Sequence, residues 1–84
     1  MDKKSSVHLM YFAYFREMTG LSEEDLTIEK GENGRTLFYR VVEKYGIKAQ
    51  ISHFRLAVNE EFVSFDQELR VGDQVAFIPP VAGG

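Results

Sequence analysis

Few residues in this 84-residue chain have the types and spacing that chemistry requires, and the most distinctive group lies at the C-terminal end. The final segment reads Phe77-Ile-Pro-Pro-Val-Ala-Gly-Gly84 and holds both prolines of the chain side by side. Because Pro79 and Pro80 have no backbone N–H to donate to a sheet, we predict that the chain leaves its last strand there. An extended path from Pro79 to Gly84 would span about 20 Å, at about 3.3 Å for each residue.

The last two residues, Gly83 and Gly84, have no Cβ atoms. Such an end can pass through a narrow channel and lets the catalytic groups of another protein approach its carboxylate closely. A frayed terminus without a function is the alternative interpretation. Residues 79–84 are therefore predicted to form an extended Gly-Gly tail.

Other candidate sites are weak. The two histidines, His8 and His53, lie on different predicted segments, and the chain has no cysteine, so neither a metal site nor a catalytic triad is indicated. Two acidic groups, residues 23–25 and 60–61, are interpreted as solvated turns or as charges that complement a basic partner. The glycine-rich residues 31–34 lack the Lys-Ser/Thr pair of a phosphate loop and predict a hairpin turn.

Composition excludes several classes of protein. Ten basic residues against thirteen acidic ones, with a net charge of −3 and no basic cluster, argue against nucleic-acid binding. The longest apolar run, residues 9–15, is far shorter than the roughly 20 residues that a transmembrane helix needs. Residues 1–6 do not resemble a secretory signal and are predicted to be a flexible leader, so we expect a cytoplasmic protein that binds no membrane.

The apolar pattern predicts the elements that must position the tail. Residues 7–13 predict a first strand, residues 14–19 a short helical turn that ends at Gly20, and residues 25–30 a second strand. Alternation in the first strand puts Val7, Leu9 and Tyr11 on a core face and His8, Met10 and Phe12 on the opposite face. Within the helical turn, Phe15 and Met18 are expected to point inward.

A longer helix is the most strongly indicated element. Thr36 is the predicted N-cap and Gly46 the predicted C′ residue. Between them, one apolar stripe at helical spacing is formed by Leu37, Phe38, Val41, Val42 and Tyr45.

Three further strand segments follow the helix. Residues 54–59 predict a strand, residues 59–61 a turn, and residues 62–63 a short return strand. Gly72-Asp73 predicts the turn into a last strand at residues 74–78. The order ββαβ(β)β, with one main helix and a mixed sheet, predicts an α+β domain of the ubiquitin-like β-grasp class over residues 7–78.

Three stretches carry a resemblance to a known family. They are Phe12-Ala-x-x-Arg16-Glu17-x-x-Gly20, Val58-Asn59, and Gly72-Asp-x-Val-Ala-Phe-x-Pro-Pro-Val-x-Gly-Gly84. Together they resemble the small subunit of molybdopterin synthase, the MoaD family, over almost the whole chain. The last stretch is the most specific, since a Gly-Gly end alone also occurs in ubiquitin, in the thiazole sulfur carrier ThiS and in ubiquitin-related modifiers. The chain departs from the family pattern in its leader and at Ile78, where an aromatic residue is common.

The resemblance implies a sulfur carrier with no bound cofactor. In such proteins an E1-like (MoeB-like) enzyme uses ATP to adenylate the terminal carboxylate, here that of Gly84, and a sulfur donor converts it to a thiocarboxylate. The tail, which corresponds to Pro79, Pro80, Val81, Ala82 and Gly83, then inserts into a MoaE-like large subunit in a heterotetramer of two small and two large subunits. There the sulfur passes to cyclic pyranopterin monophosphate and forms the dithiolene of molybdopterin.

The resemblance also implies a hydrophobic partner surface at Phe12, Phe62 and Ile78; burial in the core, or single exposed positions, is the alternative. Two other functions stay open. The chain could be a related carrier or modifier that serves tRNA thiolation, thiamine synthesis or protein conjugation. It could also be a β-grasp interaction module with an inert tail.

Overall fold

A computed structural model of the chain describes residues 5–79. Within this range it has five strands, two α-helices and one short 3-10 helix: β1 (Ser6–Met10), α1 (Ala13–Thr19), β2 (Glu23–Thr27), α2 (Gly34–Tyr45), the 3-10 helix (Ile51–His53), β3 (Arg55–Val58), β4 (Glu61–Val63) and β5 (Gln74–Ile78). The strands form one sheet in the order β2-β1-β5-β3-β4, with β1 and β5 parallel and the other pairs antiparallel. The predicted mixed sheet with one main helix is confirmed.

The core lies between α2 and one face of the sheet. Leu37, Phe38 and Val41 of α2 are fully buried. They belong to one cluster with the sheet residues Val7, Leu9, Leu56, Val58, Val75 and Phe77. The Phe38 ring is central, with centroids 5.1 Å from Phe77 and 5.7 Å from Phe15 in edge-on contacts, a favourable geometry for aromatic pairs.

Helix α1 closes the end of the core next to β1. Phe15 is buried, as predicted, whereas Met18 is 44% exposed, so its predicted inward orientation was wrong. With only seven residues, α1 presents one narrow stripe to the core, and Phe15 occupies it. Gly20 ends the helix in the left-handed region at φ 77°, and its N–H donates to the carbonyl of Arg16 at 3.0 Å.

The start of α2 differs from the prediction. The N-cap is Asn33, whose side chain accepts from the Thr36 N–H at 3.0 Å, while the Thr36 hydroxyl accepts from the Asn33 N–H at 3.2 Å. Thr36 was therefore wrongly predicted as the N-cap, because it is the third helical residue of a reciprocal capping box. Gly34 lies in the first turn, packed against Leu56, so residues 31–34 lead into a helix and do not form a hairpin turn.

Other boundaries shift by a few residues. Strand β2 covers 23–27 and not 25–30, and Ile28 is buried beyond its end. Strand β3 covers residues 55–58, within the predicted 54–59. Glu61 was predicted to lie in the turn but is the first residue of β4, and β5 has the predicted bounds. Strand β1 begins at Ser6, within the predicted leader, and ends at Met10. Residues 1–4 of the predicted leader lie outside the described residues.

Two carboxylates tie the second strand and its loop to the rest of the fold. Glu24 accepts hydrogen bonds from Tyr11 at 2.5 Å and Tyr45 at 2.6 Å. Burial acts to raise the pKa of Glu24, but these hydrogen bonds and the nearby Lys44 charge outweigh it and hold the pKa below its ordinary value. Glu32 accepts two hydrogen bonds from Arg40, at 2.9 and 3.0 Å. Among residues 5–79, no buried side-chain nitrogen or oxygen atom lacks a partner.

Candidate functional site

The face of the sheet turned away from α2, here called the open face, carries an apolar row. Strand pairing places Met10 beside Ala76, Ala76 beside Ala57, and Ala57 beside Phe62, so the row crosses four strands. Paired residues on neighbouring strands project from the same face of a sheet. Phe62, at the outer end of the row, is 53% exposed.

A second group on the open face lies next to the point where the tail begins. Arg55 pairs with Ile78, and its guanidinium carbon lies 3.9 Å from the centre of the Phe62 ring, a cation–π contact. Phe12 is 41% exposed and has an extended backbone beyond β1. The parallel pairing of β1 with β5 ends at Met10 and Ala76, and Phe12 and Ile78 each lie two residues beyond that last pair.

The three predicted interface residues therefore lie on the open face or directly continue it. Phe12 and Phe62 are exposed, Ile78 is half-buried, and none of them belongs to the core cluster. Burial of all three in the core, one of the two alternatives, is therefore wrong, whereas single exposed positions without a partner stay open. Their contact with a partner stays a prediction.

Sequence reasoning missed the residues that connect these three. Met10 was assigned to the correct face but not to the site, and Ala57 and Arg55 were not considered. The two-residue turn between β3 and β4 fixes the register that opposes Ala57 to Phe62 and sets Arg55 diagonally across from Phe62. That turn, Asn59-Glu60, is the signal that could have identified them.

The other end of the open face is polar. His8 lies between two carboxylates of β2, with Nδ1 2.7 Å from Asp25 and Nε2 2.6 Å from Glu23. The hydrogen bond to Asp25, and then that to Glu23, raise the pKa of His8 above its ordinary value. No local sequence pattern predicts these contacts of His8, because they depend on the register between β1 and β2.

A groove opens beside the base of the tail, on the side of α1 and the 3-10 helix. This tail-base groove has a volume of about 700 Å³ and is lined by Tyr14, Lys48, Ala49, Gln50, His53, Phe54 and Pro79. The Tyr14 hydroxyl donates to the carbonyl of Lys48 at 3.0 Å and joins two of its walls. Pro79 is the last described residue of the chain, so the groove adjoins the start of the predicted tail.

The remaining tail residues predicted from the sequence, Pro80, Val81, Ala82, Gly83 and Gly84, lie outside the described residues. Between Ser5 and Pro79, no group of three or more His, Cys, Asp or Glu side chains is arranged to hold a metal ion. No helix in the same range is long and apolar enough to cross a membrane.

Comparison with known proteins gives consistent matches. The ThiS family model matches residues 9–84. The molybdopterin synthase sulfur carrier subunit of Escherichia coli (strain K12) is 31% identical over 80 residues, which cover 93% of this chain and 99% of that protein.

Two solved structures add to these matches. A putative molybdopterin converting factor subunit 1 from Pyrococcus furiosus has a TM-score of 0.78 at 30% identity, over 90% of this chain and 98% of that chain. A chain in the complex of subunits 1 and 2 of molybdopterin-converting factor from Helicobacter pylori 26695 has a TM-score of 0.61 at 25% identity, over 94% of this chain and 99% of that one. The chain therefore belongs to the ThiS family and, as its C-terminal motif predicted, to the molybdopterin synthase sulfur carrier subunits within it.

Proposed function

We propose that this chain is the sulfur carrier subunit of a molybdopterin synthase and that the carboxyl group of Gly84 carries the sulfur. The observation that supports this most strongly is the near end-to-end match with the Escherichia coli carrier subunit, together with a family match that extends to Gly84. The chain has no cysteine, so no side-chain thiol is available to hold a transferable sulfur.

Activation requires a second enzyme, because a carboxylate is ionised at neutral pH and is a poor electrophile. An E1-like adenylating enzyme would join the Gly84 carboxylate to the AMP part of ATP and release pyrophosphate. A sulfur donor would then displace AMP and leave a thiocarboxylate. This chain needs no bound cofactor for that step, since ATP is a substrate of the partner.

The thiocarboxylate would next enter the large subunit of the synthase. There its sulfur would pass to cyclic pyranopterin monophosphate as the dithiolene of molybdopterin is built, and hydrolysis would return the Gly84 carboxylate. The tail, residues 79–84, supplies the reactive atom, and we assign catalysis of this step to the large subunit. Two copies of each subunit would form the working heterotetramer, in the cytoplasm.

The open face has the properties that docking to the large subunit requires. The Helicobacter pylori neighbour was solved as a complex of subunits 1 and 2. Ordering six tail residues costs on the order of 6 to 12 kcal/mol of backbone entropy, and glycines provide no side chains to offset it. Burial of Phe12, Phe62 and Ile78 against the large subunit would supply part of that free energy.

The direct test of this function begins with activation. The full chain is incubated with its E1-like enzyme, ATP and a sulfur donor, and its intact mass is measured. We expect a mass gain equal to one oxygen-to-sulfur exchange, located at Gly84. A variant with one residue added after Gly84 should show no exchange at an unchanged melting temperature, because the carboxylate is displaced from the active centre. Gly83→Ala should lose only part of the rate.

The second stage identifies the acceptor. Thiocarboxylated protein is supplied to the large subunit with cyclic pyranopterin monophosphate, and molybdopterin is measured after oxidation to a fluorescent product. Absence of exchange at Gly84 in the first stage would contradict any carrier function and leave a β-grasp interaction module. Exchange without molybdopterin formation would point to tRNA thiolation, thiamine synthesis or protein conjugation.

A further inference from the structure

Basic residues outnumber acidic ones in the segment of the chain that borders the base of the tail. Three of the ten Lys and Arg residues, and none of the thirteen Asp and Glu residues, lie between Lys44 and Asn59. The chain as a whole has a net charge of −3, so this segment has the opposite sign to its surroundings. The segment runs from the end of α2 through the 3-10 helix and β3. It includes five of the residues that line the tail-base groove, namely Lys48, Ala49, Gln50, His53 and Phe54.

The fold distributes these charges on both sides of the point where the tail leaves the sheet. Lys48 and His53 line the tail-base groove together with Pro79. Arg55 pairs with Ile78, the residue before Pro79, and projects from the open face. A protein that receives the tail would therefore meet Lys48 on one side of its base and Arg55 on the other.

The charges near the tail are available to a partner. Lys44, the third basic residue of the segment, is paired with Glu24 at 3.5 Å. Elsewhere, Arg35 and Arg40 form ion pairs with Asp66 and Glu32 at 2.9 Å. Within residues 5–79, Lys48 and Arg55 have no carboxylate at ion-pair distance, although this chain has more acidic than basic residues. Unpaired surface charges of one sign favour association with a surface of the opposite sign and accelerate it.

The side chains that line the groove also suit a negatively charged partner, provided that this partner has an apolar part. Tyr14, Ala49 and Phe54 provide apolar wall, while Lys48, Gln50 and His53 provide polar groups. A protein segment that combines an apolar side chain with an Asp or Glu carboxylate would satisfy both. A nucleic acid is a poorer match, because two unpaired cations are far fewer than a phosphate-binding footprint requires.

We propose that the tail-base groove binds an acidic segment of the large subunit at the entrance of the channel that receives the tail. This inference rests on the proposed function and extends the docking surface beyond the open face. The groove would fix the direction in which the tail leaves the body, while Phe12, Phe62 and Ile78 hold the body in place.

The test is a charge reversal at Lys48 with a matched control at Lys30. Both lysines are exposed, and α2 separates them: Lys30 precedes the twelve-residue helix and Lys48 follows it, about 18 Å away along its axis. The Tyr14 hydroxyl bonds to the backbone carbonyl of Lys48, so replacing the side chain keeps that contact. Equal melting temperatures of Lys48→Glu, Lys30→Glu and the unaltered chain would establish that the fold is intact.

Binding of each full-length protein to the large subunit is then measured by surface plasmon resonance at low and high salt. We expect Lys48→Glu to weaken Kd about tenfold at low salt, mainly through slower association, with a smaller effect at high salt. Lys30→Glu should change Kd less than about twofold, and Lys48→Gln should be intermediate.

Two results would overturn the proposal while preserving the proposed function. One is tight binding by the unaltered chain together with equal Kd values for Lys48→Glu and Lys30→Glu. The other is a change in self-association of Lys48→Glu alone in sedimentation, which would identify a second copy of this chain as the occupant. If the unaltered chain does not bind the large subunit at all, the proposed function fails and this inference fails with it.

Discussion

The two faces of the five-stranded sheet carry apolar side chains of similar kind but bury them very differently. On the face covered by α2, Leu9, Leu56 and Val75 have no exposed surface. On the open face, Phe62 is 53% exposed and Ile78 is half-buried. Successive residues of each strand point to opposite faces, so the same strands supply the side chains of both. The difference in exposure therefore arises because α2 covers one face and not the other.

Strand β5 shows what this difference teaches. It reads Gln-Val-Ala-Phe-Ile and is apolar on both faces, although α2 covers only one of them. A strand with apolar residues on both sides is typical of a sheet that is covered on both sides. The apolar row of the open face therefore resembles an interior surface, and we interpret the layer that would cover this row as a partner protein.

The largest contrast between the faces is expected for matched truncations of two phenylalanines. Phe38→Ala removes the ring at the centre of the core and should lower the free energy of unfolding by about 3 to 5 kcal/mol. Phe62→Ala removes an exposed ring and its contact with Arg55, and should cost less than about 1 kcal/mol. Urea unfolding followed by circular dichroism measures both. Similar losses would contradict the contrast between the faces.

A smaller effect on the covered face is expected at Gly34. A Cβ added there would overlap the Leu56 side chain, so Gly34→Ala should destabilise the fold by about 1 to 3 kcal/mol. A loss of stability would indicate this overlap with Leu56, because Gly→Ala within a helix otherwise raises stability by up to about 1 kcal/mol.

The control for this prediction is the Leu56→Ala background, in which the space for a Cβ exists. There Gly34→Ala should be neutral or stabilising, and a double-mutant cycle from thermal unfolding gives the coupling. An additive result would show that Leu56 is not the cause of the cost.

The sequence predicted what is local and missed what depends on register. The tail motif, the Gly20 and Gly46 helix ends and strand β5 are each specified by adjacent residues, and the helix ends and strand were confirmed. At the start of α2 we predicted Thr36 as the N-cap, and the reciprocal hydrogen bonds show that Asn33 is the cap instead. The hydrogen bond between His8 and Asp25 joins residues that are seventeen positions apart in the sequence, and no local pattern predicts such a contact.

On the open face, Phe62→Asp should affect binding far more than folding. We expect the Kd for the large subunit to weaken about tenfold, equivalent to about 1.4 kcal/mol, because a carboxylate would replace an apolar anchor. The melting temperature should stay close to that of the unaltered chain, since the side chain is already half-exposed. Titration calorimetry measures the affinity.

Val71→Asp is the matched control for Phe62→Asp. Val71 is 62% exposed and lies in the turn before β5, whose Gly72 bonds to Ser6 at the end of the sheet where β1 begins. This variant should retain its affinity. Equal weakening by both variants would indicate a general effect of negative charge and would argue against docking through the open face.

The smallest expected effect lies at the polar end of the open face and depends on pH. The pKa of His8 is higher in the folded chain than in the unfolded one, mainly through Asp25 and then Glu23. Protonated His8 therefore stabilises the fold below its unfolded pKa near 6.5, and this stabilisation is lost as the pH rises through the folded pKa above that value. His8→Gln should be less stable than the unaltered chain at pH 5.5 and nearly equal to it at pH 9, measured by urea unfolding. Asp25→Asn should reduce the same pH dependence, because it removes the main hydrogen-bond partner of His8. A difference in stability between His8→Gln and the unaltered chain that is the same at both pH values would exclude an ion pair between protonated His8 and the two carboxylates.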